Sequence, residues 1–477
     1  MSLLAKAEQT IMQSSESIPA RWYPRYHLAP RAGWMNDPNG LIWFKGHYHA
    51  FYQHHPYSTK WGPMYWGHAR SKDLVNWEHL PIALAPEGAE DKDGCFSGSA
   101  VVADDRLALI YTGHKFHGEA GKDENLYQVQ CLVTSEDGVH FKREGMVLDT
   151  PAGLRHFRDP KVWREGEYWY MVVGAKESEL GQVRLYRSAD LQQWEDAGVL
   201  ARAEAGMGFM WECPDFFTLQ DRQVLIFSPQ GMAANGYDNR NLFQSGYLVG
   251  QWQPEQDFQI EHTFRELDHG HDFYAPQSFL TPDGRRILIA WLDMWESPMP
   301  EQQDGWAGMF SLPRELNLTS DGRLLMTPAK EIEQLRGQHT PYRLDTLHNQ
   351  RIQVAEHCTT MEVSLEWRCA ESNAEQYGLQ LGNGMRLYVD NQAKRIVLER
   401  NYPEFGLCGA RSVALPEGDI LSLRLFFDMS SVEVFINEGE ACLSSRIYPA
   451  DDQRQLTLFA NHGSALLHSG GHWVLAE

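Results

Sequence analysis

Three acidic side chains draw attention by where they fall. Asp37 opens the segment Asp37-Pro38-Asn39-Gly40, Asp159 opens Asp159-Pro160-Lys161-Val162, and Glu212 precedes Cys213-Pro214-Asp215-Phe216. Ser97-Gly98-Ser99-Ala100 and Ala275-Pro276-Gln277-Ser278 match them in phase, so five similar openings recur 54–62 residues apart. Two carboxyl groups flanking one bond are what glycoside hydrolysis needs. One, ionised, attacks or stabilises an oxocarbenium-like centre, and the other, protonated, gives its proton to the leaving oxygen. Aromatic rings gather near the openings, among them Trp34, Trp61, Phe96, Tyr274 and Trp291, and offer flat apolar faces to sugar C–H groups. Asn36, Gln53, Ser97 and Arg158 are candidate partners for hydroxyls. Taken singly, each piece has a plainer explanation: a turn for D-P-N-G, a surface ion pair for Arg158-Asp159, a buried small apolar group for Cys213. Acids in the same phase of a repeat are what turn the pieces into a site.

The elements that must position them read as strands. Each opening leads into an apolar run and then, across a polar turn, into another: HYHAFYQ (47–53), RLALIYT (106–112), EYWYMVVG (167–174), QVLIFSP (223–229) and RRILIAW (285–291). That is a hairpin pattern. A repeat of about 60 residues carrying four short strands predicts an all-β chain with a five-bladed β-propeller over 25–320. The first strand of each blade lines the central channel, so the openings converge at one mouth. The competing reading is one long β-sandwich with coincidental spacing. Residues 1–24 form an N-terminal segment with a short frayed helix over 3–14. A linker with a short helix (327–337) occupies 321–350. Alternating strands over 351–477 predict a β-sandwich domain.

Composition narrows the function. Lys and Arg number 42 against 64 Asp and Glu, a net charge of −22, which disfavours nucleic acid and anionic membranes as partners. No stretch approaches 18 apolar residues, and the N-terminus lacks a signal-peptide core. Seven cysteines, an odd number without C-x-x-C spacing, read as reduced thiols and place the chain in the cytoplasm. There is no H-E-x-x-H, Walker A loop, G-x-S-x-G elbow or dinucleotide fingerprint, so neither metal nor cofactor is expected. The densest histidines, His54-His55 and His269-Gly270-His271, read as polar rim residues. The expected partner is a small sugar, and the expected state a monomer or homodimer.

WMNDPNG (34–40), CFSGSA (95–100), FRDPKVW (157–163) and MWECPDFF (210–217) together resemble the signature boxes of glycoside hydrolase family 32, which contains invertases and sucrose-6-phosphate hydrolases. YAPQSF (274–279) and the late segment 430–449 fit it too, and the resemblance runs from about His27 onward. It implies a five-bladed propeller followed by a β-sandwich and a retaining mechanism at the fructofuranosyl C2. By motif match Asp37 is implied as nucleophile, Glu212 as acid and then base, and Asp159 as the acid that holds ring hydroxyls and stabilises the transition state. Asn36, Gln53, Trp61, Phe96, Ser97, Arg158 and Trp291 are implied to shape the fructose subsite. Asn36 and backbone N–H groups would keep the nucleophile ionised. Trp211, Cys213 and nearby carboxylates would surround the acid. Lys60, Arg70, Lys115 and Lys176 are the cations available to a phosphorylated substrate, but the acidic chain favours neutral sucrose. A non-catalytic carbohydrate-binding propeller is the alternative.

Overall fold

The computed structural model describes residues 1–475. Five sheets, each of four or five strands and antiparallel apart from one short parallel pair, make the propeller. Their innermost strands are Gly33–Phe44, Gly94–Ala103, Phe157–Glu165, Met210–Leu219 and Tyr274–Leu280. Each is followed by its partner across a tight turn, as the hairpin pattern requires. The first blade is completed by Trp306–Ala307, which pairs in parallel with Gly33 and Trp34. Apolar residues from adjacent blades interdigitate. Val172, Phe216 and Leu225, for example, share one cluster between blades 3 and 4.

The expected N-terminal helix is present as Leu3–Ser15, but it is docked rather than frayed. Ser2 caps it by accepting the Ala5 N–H, and Ala7 and Ile11 are buried. Glu8 accepts from Arg31 Nη1 at 2.6 Å and from the Ile82 N–H at 3.0 Å, fixing the helix to blade 1.

The linker expected over 321–350 is largely taken up by strands. Leu324–Pro328 pairs with Arg314–Leu318 in blade 5. The helix expected at 327–337 is only a 3-10 segment, Lys330–Leu335. Arg336–Pro341 and Thr346–Ala355 both pair with the last strand, Leu456–Leu475, and so belong to the sandwich. That 20-residue strand runs through both sandwich layers. Between them lie Trp367, Tyr377, Leu379, Leu425 and Leu458.

Propeller and sandwich meet through buried charge. His27 Nδ1 lies 2.7 Å from Asp428 Oδ2 and its Nε2 lies 2.5 Å from Glu433 Oε2. Arg314 donates to Asp268 (3.0 Å) and to Glu433 (2.8 Å), and Arg446 Nη2 donates to Asp272 at 3.1 Å. Replacing such a network with apolar side chains is often neutral, but removing one partner strands a charge and costs about 3–5 kcal/mol. Among the described residues, no helix is long and apolar enough to cross a membrane.

Candidate active site

In every blade the innermost strand breaks register where it opens. The shifts fall between Met35 and Pro38, Cys95 and Gly98, Glu212 and Asp215, and Tyr274 and Gln277, and in the third blade opposite Arg158–Lys161. Four of the openings carry proline (Pro38, Pro160, Pro214, Pro276), which has no N–H to give to a ladder. Asp159, Cys213 and Ala275 adopt positive φ (69°, 50° and 53°). A bulge re-aims a side chain and bends its strand. Here five of them turn side chains from the sheet faces toward the propeller axis.

The result is a cavity of about 340 Å³ lined by Asp37, Asp159 and Glu212 together. Asp37 Oδ1 accepts from Asn36 Nδ2 at 3.1 Å and Oδ2 accepts from Ser97 Oγ at 2.6 Å. Burial and then the charge of Glu212 push the Asp37 carboxyl up to about 6, against the pull of these donors. Asp159 Oδ2 accepts the Cys213 N–H at 2.9 Å. Burial, then Glu212, push Asp159 up to about 7, opposed by Arg158. Glu212 Oε1 accepts from Tyr274 Oη (2.6 Å) and Gln230 Nε2 (2.9 Å), and its Oε2 accepts from Arg158 Nε at 3.0 Å. Arg158 is itself braced by His156 Nδ1 (2.8 Å) and Gln128 Oε1 (3.3 Å).

Cys213 is more than a small apolar filler. Its Sγ lies 3.4 Å from Asp37 Oδ2 and 3.5 Å from Asp159 Oδ2. Ligand atoms of these three residues lie within 4.8 Å of one another, which is close enough to share a cation. Burial and the two carboxylates hold the thiol well above its ordinary range, so it stays protonated and donates hydrogen bonds. A protonated thiol is a poor metal ligand, and the cluster reads as two acids tied by one donor.

Comparison with known proteins fixes the lineage. Residues 27–328 match the glycosyl hydrolases family 32 N-terminal domain, and residues 331–473 match the family 32 C terminal. This chain belongs to glycosyl hydrolase family 32. It is 56% identical to a sucrose-6-phosphate hydrolase of Escherichia coli, covering 99% of both chains. It is 53% identical to a raffinose invertase of E. coli, over 98% of this chain and 100% of that one. A Bombyx mori family 32 beta-fructofuranosidase, solved as a mutant in complex with sucrose, superposes with a TM-score of 0.87 at 37% identity, covering 99% of this chain and 98% of that one.

Within this family 32 site, Asn36, Gln53, Trp61, Phe96, Ser97 and Arg158, all implied to shape the fructose subsite, line the cavity. Gln53 Nε2 is anchored to Asn39 Oδ1 and the Cys95 carbonyl. Phe96 stacks on His114 at 3.9 Å, and Trp61 is 48% exposed at the rim. Trp34, Tyr274 and Trp291, expected to touch substrate, sit behind the wall instead. Trp34 donates from Nε1 to Asn36 Oδ1 at 2.7 Å, Tyr274 orients Glu212, and Trp291 is fully buried 5.8 Å from Trp34. Trp211, expected beside the acid, turns into the blade core, where it stacks on Phe227 at 4.0 Å. Sequence reasoning passed over His114, Gln128, His156, Gln230 and Phe243, which also line the cavity. Of the lining residues outside the expected set, only Trp295 had a signal, its place in the aromatic-rich segment 284–295.

Proposed function

We propose that the chain is a retaining β-fructofuranosidase that hydrolyses sucrose to fructose and glucose. Asp37 attacks C2 of the fructosyl unit while Glu212 gives its proton to the glucosyl oxygen, so the C2–O bond breaks as the carboxylate–C2 bond forms. Glu212 then takes a proton from water, whose oxygen displaces Asp37 at C2 and frees fructose. Asp159 accepts hydroxyls of the ring. The observation that carries this reading is the division of labour among the acids. Asp37 is held only by uncharged donors, the hydroxyl of Ser97, the amide of Asn36 and the thiol of Cys213, whereas Glu212 is fixed by Arg158, Gln230 and Tyr274 on the same cavity. The relatives named for sucrose-6-phosphate hydrolysis and raffinose inversion, and the sucrose complex of the Bombyx mori enzyme, support it.

The test is D37N and E212Q, each assayed for hexose release from sucrose. Both lose at least about 10³-fold in kcat, and E212Q recovers on fructosides with a good leaving group, because protonation is then dispensable. Near-full rates in either variant refute the assignment. Binding of sucrose without turnover by the unaltered protein would favour the non-catalytic alternative. All seven cysteines are unpaired, which supports a reducing, cytoplasmic location.

A further inference from the structure

The loop 231–245 leaves blade 4 just after Gln230, which binds Glu212, and returns past Phe243, which walls the cavity. Midway it folds on itself: Asn235 and Asp238 exchange backbone hydrogen bonds of 3.0 and 2.9 Å. This sets Asp238 against Glu266 and His269 at the seam with the sandwich. One carboxylate oxygen from each acid and one imidazole nitrogen lie within 4.8 Å of one another.

Among the described residues the Asp238 carboxylate and the His269 ring have no hydrogen-bond partner, and the Glu266 carboxylate has one. His269 is pinned through its backbone, whose N–H donates to the Cys442 carbonyl at 2.9 Å, yet neither ring nitrogen has a hydrogen-bond partner among the described residues. Glu266 Oε1 accepts the Asn239 N–H at 2.6 Å, and the Asp238 carboxylate accepts nothing from the described residues. Neither acid forms a direct ion pair among the described residues. The nearby cations are engaged elsewhere: Arg411 with Asn241 Oδ1 (2.9 Å) and Arg395 over the Tyr237 ring (3.8 Å). A cavity of about 580 Å³ adjoins the cluster and leaves room for water ligands.

We propose that Asp238, Glu266 and His269 form a divalent-cation site that ties the loop 231–245 to the seam between propeller and sandwich. Two carboxylates and one imidazole suit Mn²⁺ or Zn²⁺ better than Ca²⁺ or Mg²⁺, which favour oxygen alone. Ligands on opposite sides of such an ion lie about 4 Å apart, so the present spacing needs only a small closure. The ion is structural, and it holds the loop whose two ends touch the reaction cavity.

The test uses full-length protein stripped of metal and titrated with Mn²⁺, read by electron paramagnetic resonance. Mn²⁺ avoids thiols, so the exposed Cys408 does not interfere. One equivalent binds, and saturation raises Tm by about 2 °C. D238N and H269Q each weaken binding by about tenfold or more and abolish the shift. Asp238 is exposed, so D238N keeps the fold. Absence of saturable Mn²⁺ binding, or binding undiminished in both variants, overturns the proposal, and neither result bears on the sucrose reaction.

Discussion

Arg158 Nε donates to Glu212 Oε2 at 3.0 Å, and Arg158 Nη2 lies 3.0 Å from the same oxygen. The guanidinium therefore fixes the direction of the proposed acid. Lysine keeps the charge and loses the fork. R158K is expected to lower kcat/KM for sucrose by about 10²-fold, since small displacements at a reacting centre cost that much. The protein should remain folded by circular dichroism. A kcat/KM within threefold of the unaltered enzyme would show that charge alone suffices.

Ser97 opposes the burial and charge that raise the pKa of the proposed nucleophile. Its hydroxyl donates to Asp37 Oδ2 at 2.6 Å and favours the anion, while burial and Glu212 push the carboxyl up to about 6. A nucleophile must be ionised, so kcat/KM falls as pH drops through about 6. Removing a donor to the charged form raises the pKa further. S97A is expected to move the acid limb of the pH–rate profile upward by about one unit, with a smaller loss at pH 8 than at pH 6. An unmoved limb would dissociate it from Asp37.

The same residues show what was legible in the sequence. Asp37, Asp159 and Glu212 could be found because an acid repeated at one phase of a strand pattern needs no knowledge of side-chain direction. Trp34, Tyr274 and Trp291 were misplaced because direction is the missing quantity. The bulges at the strand openings decide which side chains reach the axis, and a bulge is a property of pairing, invisible in one strand alone. His114 and Gln128 come from second and third strands, Gln230 and Phe243 from a strand end and a loop, so no shared phase marks them. The stretch 336–350 read as a linker because it is mostly polar. Its strand character comes from pairing with Leu456–Leu475, over 100 residues later.

His27 makes the domain seam sensitive to alkali. Burial alone would lower its pKa, but Glu433 and Asp428 outweigh that and raise it to about 9. A base raised in the folded state stabilises fully below its unfolded pKa of about 6.5, and the benefit is lost as pH climbs through about 9. Thermal melts from pH 7 to 10 should therefore show a falling Tm. H27Q leaves Asp428 and Glu433 less compensated and should cost about 3 kcal/mol at pH 7. It should also remove part of the alkaline slope. A parallel decline in both proteins would place the alkaline transition elsewhere.

Substrate charge is the last discriminating property. Among the described residues, Arg158 is the only Lys or Arg that lines the cavity, and it is engaged by Glu212. The cations that could have met a phosphate are occupied away from the cavity lining: Arg70 with Glu78 (2.8 Å), Lys176 with Glu179 (3.1 Å) and Lys115 over Tyr127 (4.9 Å). Lys60 is exposed and does not line the cavity. A phosphate dianion entering beside Asp37, Asp159, Glu212 and Asp123 would meet like charge without a free partner, and like-charge juxtaposition costs several kcal/mol. Sucrose is therefore expected to exceed sucrose 6-phosphate by at least about tenfold in kcat/KM, with the difference narrowing at high salt. Raffinose, whose extra sugar is neutral, should be accepted. Equal or better kinetics on sucrose 6-phosphate would mean that a cation such as Lys60 swings inward on binding, and K60M would then selectively depress that substrate.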